Sequence, residues 1–267
     1  MTRPSVVGYL HGFTRADHWR RHVDVVDPLP GLRGEARANQ VAAMFARVSR
    51  RYDLLNTVMT GGMHHRWRRQ VALLGTRDLA GVALDVATGT GNLAIALARR
   101  PGMCQVVGLD FVPEMLHLAR QKVLRRGPSK AIGFLQGDAL ALPFRDDAFA
   151  CATCGFGLRN MEDVPKALAE MVRVVRRGGR VVVLEIVPGE SKGLFRRLTS
   201  LYFRRVVPVL GHILAGEREA YTYLPRSVDA FPLAGELVHL MEEAGLRNVR
   251  YRNAGMGMVA IHVGEKA

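Results

Sequence analysis

The sequence predicts a doubly wound α/β fold, in which helices cover both faces of a seven-stranded, mostly parallel sheet. Short apolar runs such as GVALDVA and RVVVLEIV suit buried strands, and they alternate with segments whose apolar residues recur at helical spacing. Glycine and proline close several of those segments, for example at Pro101-Gly102 and Gly127-Pro128. Two further runs, LRNVRYR and GMVAIHV, complete the predicted sheet.

The first half of the chain contains three predicted helices and two strands. Residues 41–59 are predicted to be helical because Met44, Val48 and other apolar residues recur near the helical period. GVALDVA is the first strand, and NLAIALARR is the helix that follows it. CQVVGLD is the second strand, which ends at Asp110, and Pro113 then begins a helix.

The second half continues the alternation. AIGFLQGD and FACATCG are the third and fourth predicted strands, and RVVVLEIV is the fifth. Between the fourth and the fifth, a helix from about Pro165 places Leu168 and Met171 on one apolar face. A last helix around Leu237 ends at Gly245, before the two closing strands.

Length and composition are those of a packed globular domain. The chain has 267 residues, of which 48% are hydrophobic and 23% charged, and this excludes collagen-like and largely disordered proteins. No apolar run reaches the roughly 18 residues of a membrane span, and the N-terminus lacks the apolar core of a secretory signal. We therefore expect a cytoplasmic protein.

The chain is strongly basic, with a formal net charge of +14. Most of the excess lies in residues 47–69 and 173–205. Such a surface is either a solvated basic face or a contact with an anionic membrane. Nucleic acid is a third partner for a basic surface. It is not expected here, because CGFGLRN differs from the Asn/Asp-Pro-Pro-aromatic motif of amino-group methylation.

The stretch LDVATGTGN contains the small-residue pattern of a nucleotide-binding turn, with Gly89 and Gly91 followed by Ala94. Asp85 stands four residues before Gly89, at the end of the first predicted strand. A carboxylate there would repel the pyrophosphate of a dinucleotide, whereas it would attract the sulfonium and the α-ammonium of S-adenosylmethionine. The turn therefore favours S-adenosylmethionine as the cofactor, although Asp85 could instead cap the turn through backbone hydrogen bonds.

Two more acids end neighbouring strands. Asp110 closes the second strand, where a carboxylate accepts hydrogen bonds from both ribose hydroxyls of an adenosine cofactor. Asp138 closes the third strand, where its side chain suits the adenine amino group, with Leu140 and Leu142 as apolar cover. NAD enzymes also use an acid in the position of Asp110, so the choice of a methyl donor rests on Asp85 and Asp138 together.

Eight motifs carry a family resemblance: RYDLLN, GGMHHRW, LDVATGTGN, GDALALPF, FGLRN, VVRRGGRVVVLE, YTYLPRSV and VAIHVGEK. The sequence resembles the quinone-biosynthesis C-methyltransferases of the UbiE/MenG family from about Val41 to its end. FGLRN and YTYLPRSV are the motifs most specific to that family. The resemblance implies a class I, Rossmann-like methyltransferase fold. It also implies transfer of a methyl group to the ring of a polyprenyl quinol, giving menaquinol or a ubiquinone precursor.

Motif by motif, the resemblance assigns Thr90, Asp110, Asp138 and Ala139 to the cofactor site. Gly155 occupies a position at which many relatives have a hydroxyl residue. The C-terminal NAGMGMVAIHVG also departs from the family pattern, so we expect a somewhat different substrate pocket. Together with the glycine turn, the predicted cofactor residues are Asp85, Gly89, Thr90, Gly91, Asp110, Asp138, Ala139 and Gly155.

Methylation of a ring carbon requires a neighbouring hydroxyl to lose its proton, so the site needs a group that stabilises a phenolate. Arg159, just after the fourth strand, is the predicted electrostatic catalyst, since a guanidinium stabilises an oxyanion without acting as a base. Asn160 is predicted to hold a quinol oxygen or a water, and an activated water is the expected proton acceptor. Capping of the next helix is the alternative role for this pair. Tyr52, Tyr223 and His262 are the predicted quinol contacts.

Residues 1–40 are predicted to form a poorly ordered or loosely docked N-terminal extension ahead of a methyltransferase domain at 41–267. Within that domain, residues 188–227 contain apolar residues interleaved with arginine pairs and are predicted to form a helical lid. This surface suits peripheral contact with the anionic inner face of the membrane, where the prenyl tail resides. Homodimerisation is the alternative use of such a surface.

Cys151 and Cys154 form a C-x-x-C pair on a predicted strand, where residues three apart point to opposite faces. We therefore predict two core cysteines and no metal site. The rival functions are a methyltransferase of specialised metabolism acting on a phenol or polyketide, and a non-catalytic nucleotide-binding subunit. A dehydrogenase is disfavoured by Asp85 and by the lack of a second domain for a hydride acceptor.

Overall fold

The computed structural model describes residues 28–126, 131–188 and 218–267. All seven predicted strands are present, close to the predicted positions. In chain order they are β1 Gly81–Val86, β2 Met103–Asp110, β3 Ala131–Gln136, β4 Phe149–Gly155, β5 Val175–Ile186, β6 Leu246–Ala254 and β7 Val259–Lys266. They form one sheet in the order β3-β2-β1-β4-β5-β7-β6. Strand β7 runs opposite to the other six strands, and all pairings that do not involve β7 are parallel. The predicted mostly parallel sheet is therefore confirmed.

Eight α-helices accompany the sheet in the part of the chain that is described. They are α1 Gly34–Val48, α2 Tyr52–Thr60, α3 Met63–Thr76, α4 Asn92–Ala98, α5 Pro113–Arg126, α6 Val164–Val174, α7 Arg218–Asp229 and α8 Ala234–Glu243. None of these helices has the length and the apolar character that crossing a membrane requires. The predicted single helix over 41–59 is in fact two helices, because the 3-10 turn Ser49–Arg51 interrupts it.

The sheet separates two apolar clusters. On one face, β4 and β5 pack against α6 and α8 through Leu168, Met171 and Leu237. On the other face they pack against α3 and α4 through Trp67 and Leu97. Successive residues of a strand point to opposite faces, so neighbouring buried residues of a strand generally belong to different clusters.

The two strand cysteines follow the same alternation. Cys151 belongs to the cluster of α3 and α4, whereas Cys154 belongs to the cluster of α6 and α8. Both are fully buried, and burial raises the pKa of the Cys151 thiol to about 12. The prediction of two core cysteines is confirmed. Among the described residues, no group of three His, Cys, Asp or Glu side chains is arranged to hold a metal ion.

The boundaries of the predicted extension and lid differ from the elements seen. Helix α1 begins at Gly34 and thus includes the last residues of the segment 1–40, while residues 1–27 lie outside the described part of the chain. Residues 189–217, which are most of the predicted lid, also lie outside it. The remainder of that segment forms most of α7, whose Tyr223 packs with Val41 and Met44 of α1.

Candidate active site

The parallel strands bring the predicted acids to one edge of the sheet. In the register of β1, Asp85 lies opposite Gly108 of β2 and Thr153 of β4. All these strands run in the same direction, so their carboxyl ends and the turns that follow lie together. Asp110 ends β2 only two residues beyond Gly108.

The glycine turn connects β1 to α4. Gly89 and Gly91 both have positive φ values, of 56° and 78°. A Cβ atom at Gly91 would lie 3.1 Å from the Cβ of Ala119 and from Cζ of Phe134, so space as well as conformation favours glycine there. The turn can therefore approach α5 and β3 more closely than a larger residue would allow.

Asp110 is tied to the glycine turn. Its Oδ2 accepts a hydrogen bond of 2.7 Å from the backbone N–H of Gly89, and its Oδ1 accepts one of 2.9 Å from the N–H of Val112. Burial raises the pKa of this carboxyl, although the backbone donors oppose the shift. The hydrogen bonds fix the carboxylate at the wall of the main cavity, which it lines.

This main cavity, hereafter the first cavity, has a volume of about 360 Å³ and lies between the strand ends and α1. That volume is within the range of ligand sites in proteins. Asp138 is also held in place there, since its Oδ1 accepts a hydrogen bond of 2.8 Å from the N–H of Leu140. The predicted cofactor residues that line the first cavity are Gly89, Asp110, Asp138, Ala139 and Gly155.

Asp85 and Thr90 lie instead beside a recess of about 20 Å³, which adjoins the first cavity. The hydroxyl of Thr90 donates a hydrogen bond of 2.7 Å to Oδ1 of Asp53, so it is engaged by α2. Gly91 lines neither space and contributes through the shape of the turn. Four residues line both the recess and the first cavity: Tyr52, Ala87, Gly89 and Gly155.

Asp85 is almost fully buried, at 1% exposure. Its two oxygens accept hydrogen bonds from the hydroxyls of Thr88, at 2.7 Å, and Thr153, at 2.8 Å. Burial raises the pKa of Asp85 to about 6, against the opposing effect of the two hydroxyls and of Arg68. The ionised carboxylate is therefore costly in the free protein and would be stabilised by a cation in the recess.

A second cavity, of about 110 Å³ and mostly apolar walls, lies among α1, α2, α3 and α7. Both predicted tyrosines, Tyr52 and Tyr223, line it. Three aromatic residues, Phe45, Tyr52 and Phe156, line the first and the second cavity alike. We call these three residues the neck, because molecules bound in the two cavities would meet there.

Arg159 lines the second cavity and is buried beside a carboxylate. Its Nη1 donates hydrogen bonds of 2.6 Å to Oε1 of Glu185 and of 2.7 Å to the carbonyl of Phe156. Burial alone would lower the pKa of Arg159, but Glu185 more than offsets this effect and the pKa is raised. Its Nε has no hydrogen-bond partner among the described residues, which leaves one buried donor available to a ligand.

Asn160 follows in the same 3-10 turn, Leu158–Asn160, and lines the first cavity rather than the second. Its Nδ2 donates a hydrogen bond of 3.3 Å to the carbonyl of Phe156, whereas its buried Oδ1 has no partner in the described part of the chain. Capping of α6 belongs to Asp163, whose Oδ1 accepts a hydrogen bond of 2.9 Å from the N–H of Lys166. The helix-capping alternative for Arg159 and Asn160 is therefore excluded.

His262 lies away from both cavities, which contradicts the predicted quinol contact. Its ring is fully buried, Nε2 donates a hydrogen bond of 2.9 Å to the carbonyl of Ala234, and Tyr251 stacks against it at 5.1 Å. The strand alternation of β7 explains the error, since Val259 faces the second cavity and His262 faces α8. Burial lowers the pKa of His262 to about 4, so its ring stays neutral.

Arg68 and Asp53 also belong to this part of the protein, although neither was predicted from the sequence. Arg68 stands on the buried face of α3 with Ala72 and Gly75, and a charged residue on such a face is the signal that could have identified it. Asp53 accepts hydrogen bonds from Thr90, from Asn92 at 2.8 Å and from Lys122 at 2.6 Å. These bonds connect the start of α2, and hence Tyr52, to the glycine turn and to α5.

Comparisons with known proteins identify the family to which the chain belongs. The model of the ubiE/COQ5 methyltransferase family matches residues 33–266. The demethylmenaquinone methyltransferase of Thermus thermophilus is 47% identical over 223 residues, which are 84% of this chain and 100% of that protein. The protein of the same name from Deinococcus radiodurans is 46% identical and covers 86% of this chain, with 94% of its own length matched.

A solved structure, that of a SAM-dependent methyltransferase from Thermotoga maritima, supports the fold. It has a TM-score of 0.58 and 19% identity, and the alignment covers 85% of this chain and all of that one. The similarity at this identity concerns the fold alone, which is that of the class I methyltransferases. Since the family model spans nearly the whole described chain and the curated relatives share almost half of its residues, the chain belongs to the ubiE/COQ5 methyltransferase family.

Proposed function

We propose that the protein transfers a methyl group from S-adenosylmethionine to a ring carbon of demethylmenaquinol, giving menaquinol. The observation that carries this proposal is the neck, at which a cavity beside the glycine turn, lined by Asp110 and Asp138, meets an apolar cavity with a buried cation. The names of the two relatives described above favour demethylmenaquinol over a ubiquinone precursor as the substrate.

The residues of the first cavity suit the cofactor. Asp110 offers its carboxylate to the ribose hydroxyls, and Asp138 with Ala139 takes the adenine. Asp85, in the adjoining recess, offers a carboxylate to the cationic amino-acid end. When bound, S-adenosylmethionine supplies an electrophilic methyl group. The protein contributes mainly by holding the acceptor ring in line with it.

The residues of the second cavity suit the quinol. The apolar side chains from α1, α2 and α3 exclude water from the ring, and the cation of Arg159 stabilises the phenolate that forms when a ring hydroxyl loses its proton. Glu185 keeps Arg159 charged and in place. After methyl transfer, the substituted ring carbon must lose its proton so that the aromatic ring is restored, and one proton is released overall. A water near Asn160 is the proposed acceptor of this proton, because the guanidinium does not give up its own proton at neutral pH and so cannot act as a base.

The direct test uses the purified protein, S-adenosylmethionine with a labelled methyl group, and demethylmenaquinol kept reduced. We expect label in the quinol fraction and none in the phenol when an unprenylated phenol replaces the quinol. Transfer to the phenol alone would favour a methyltransferase of specialised metabolism. Absence of transfer to either compound would contradict the proposal.

The prenyl tail suggests a membrane partner, which we also propose. Leu54 and Val58 of α2 and Met63 of α3 are 54%, 43% and 42% exposed, and Met63 also lines the second cavity. Exposed arginines, Arg50 and Arg66, flank these side chains. Apolar side chains among arginines fit the interface of an anionic membrane, from which a tailed quinol could enter this cavity.

For Arg159, we expect removal of the charge to abolish most of the catalysis. Arg159→Gln leaves Glu185 buried without its partner, so the double change Arg159→Gln, Glu185→Gln serves as the stable comparison. Both variants should lower kcat by about 100-fold or more, with cofactor affinity unchanged within about twofold. Arg247→Gln, on the exposed face of β6, is the matched control and should keep full activity. A loss of less than tenfold in the double variant would exclude Arg159 from this role.

The raised pKa of Asp85 predicts a pH dependence of cofactor binding. A nearby ammonium favours the ionised carboxylate, so binding below pH 6 must release the proton that Asp85 holds in the free protein. The affinity for S-adenosylmethionine, measured by calorimetry, should be greatest between about pH 6.5 and 7.5 and fall by up to tenfold per pH unit below about pH 6. It should also decline above about pH 8, where the α-ammonium of the cofactor loses its own proton. Asp85→Asn should show weaker binding without the fall on the acidic side. The same slope in that variant would assign the titration to another group.

Membrane contact is tested by co-sedimentation with vesicles that contain anionic phospholipid. The wild-type protein should sediment with them at low salt and be released at high salt, since screening weakens the arginine contacts. Leu54→Glu and Val58→Glu should reduce binding, whereas Leu124→Glu should not, because Leu124 is 87% exposed on α5, outside this patch. Equal binding by all variants would contradict the proposed surface. A mass that rises with protein concentration would instead favour homodimerisation.

A further inference from the structure

A buried cation, Arg68, lies beside the cofactor recess, and no carboxylate in the described part of the chain pairs with it. Arg68, in the middle of α3, is 6% exposed, and a guanidinium removed from water is costly unless an anion or several acceptors compensate it. Among the described residues, no carboxylate oxygen lies within 4.0 Å of its nitrogens. Both Lys122 and Arg159, by contrast, have such a carboxylate, Asp53 and Glu185 respectively.

The contacts of Arg68 are those of a side chain held in position. One of its Nη atoms hydrogen-bonds Nδ1 of His64, one turn earlier on the helix, and its guanidinium lies 5.8 Å from the centre of the Phe156 ring. Burial lowers the pKa of His64 to about 4, so the imidazole is neutral and its Nδ1 can accept from Arg68. The other ring nitrogen of His64 is then the donor to the hydroxyl of Thr57, at 3.2 Å.

Arg68 and Asp85 line the same recess. Their charges are opposite, yet the two side chains do not form a direct ion pair within 4.0 Å. A recess that presents a separate cation and a separate anion is complementary to a zwitterion. The recess shares Tyr52, Gly89 and Gly155 with the first cavity, so the charged end of a ligand bound in that cavity would lie beside Arg68 and Asp85.

We infer that Arg68 binds the α-carboxylate of S-adenosylmethionine while Asp85 binds its α-ammonium, and that His64 positions the guanidinium. This inference rests on the proposed cofactor. A charge-assisted bidentate pair between guanidinium and carboxylate is among the stronger contacts available to a ligand, and it gains strength where water is excluded. Arg68 would thus supply much of the affinity for the amino-acid part of the cofactor.

The test removes the carboxylate from the ligand as well as the cation from the protein. Calorimetry would measure the binding of S-adenosylmethionine, of decarboxylated S-adenosylmethionine, which keeps the sulfonium and the amine, and of methylthioadenosine, which lacks the whole amino-acid part. Arg68→Met should weaken the binding of S-adenosylmethionine by about 10- to 100-fold. The same change should alter the affinity for the other two ligands by less than about threefold.

Two further variants keep the test decisive. Arg68→Lys retains a buried cation without the bidentate geometry and should weaken only the binding of S-adenosylmethionine, by a smaller factor. Arg69→Met removes an exposed arginine from the same helix and should change none of the affinities. Thermal unfolding of each variant reports whether the fold is intact.

Three outcomes would overturn the inference. An equal loss of affinity for all three ligands in Arg68→Met and Arg68→Lys would make Arg68 a structural residue of α3. Unchanged binding of S-adenosylmethionine in both variants would exclude the contact. If the wild-type protein bound methylthioadenosine but not S-adenosylmethionine, the assignment of the cofactor would fail, and the role of Arg68 with it.

Discussion

The parallel pairing of β1 with β2 and β4 is the constraint on which the rest of the site depends. It places Asp85 opposite Gly108 and Thr153, so the hydroxyl of Thr153 reaches the carboxylate across the sheet. The same pairing places Asp110 beside the glycine turn, where its carboxylate accepts a hydrogen bond from the N–H of Gly89. A shift of β1 by one residue in this register would turn Asp85 to the opposite face of the sheet.

The helices before β1 convert this edge into two connected cavities. Helices α1, α2 and α3 supply most of the wall of the second cavity, and Asp53 ties the start of α2 to the glycine turn and to Lys122. The buried charges beside the two cavities are compensated in different ways. Arg159 is paired with Glu185, whereas Arg68 and Asp85 are near one another without a direct bond. Among the described residues, Arg68 and Asp85 have no direct ion-pair partner and lie where a charged ligand would bind, whereas the Arg159–Glu185 pair lies where the substrate ring would bind.

The sheet and the glycine turn could be predicted from the sequence because their signals are local. Strand periodicity, Gly89 and Gly91, and the acids at the strand ends each depend on a few neighbouring residues. The second cavity could not be predicted, since it is formed by helices that meet only in the tertiary structure. His262 was assigned to the wrong surroundings because a sequence does not state which face of β7 is turned toward the substrate. Arg68 could not be assigned from GGMHHRW alone, because this motif stops one residue before Arg68 and does not show which face of the helix is buried.

In the proposed mechanism, cofactor and quinol meet at the neck formed by Phe45, Tyr52 and Phe156. A crystal structure of the protein with S-adenosylhomocysteine and a quinol that carries a short prenyl chain would test this arrangement. We expect the adenosine in the first cavity, the quinol ring in the second, and the sulfur of the cofactor product at the neck, facing a ring carbon. A ring bound elsewhere, or an adenosine in the second cavity, would contradict it.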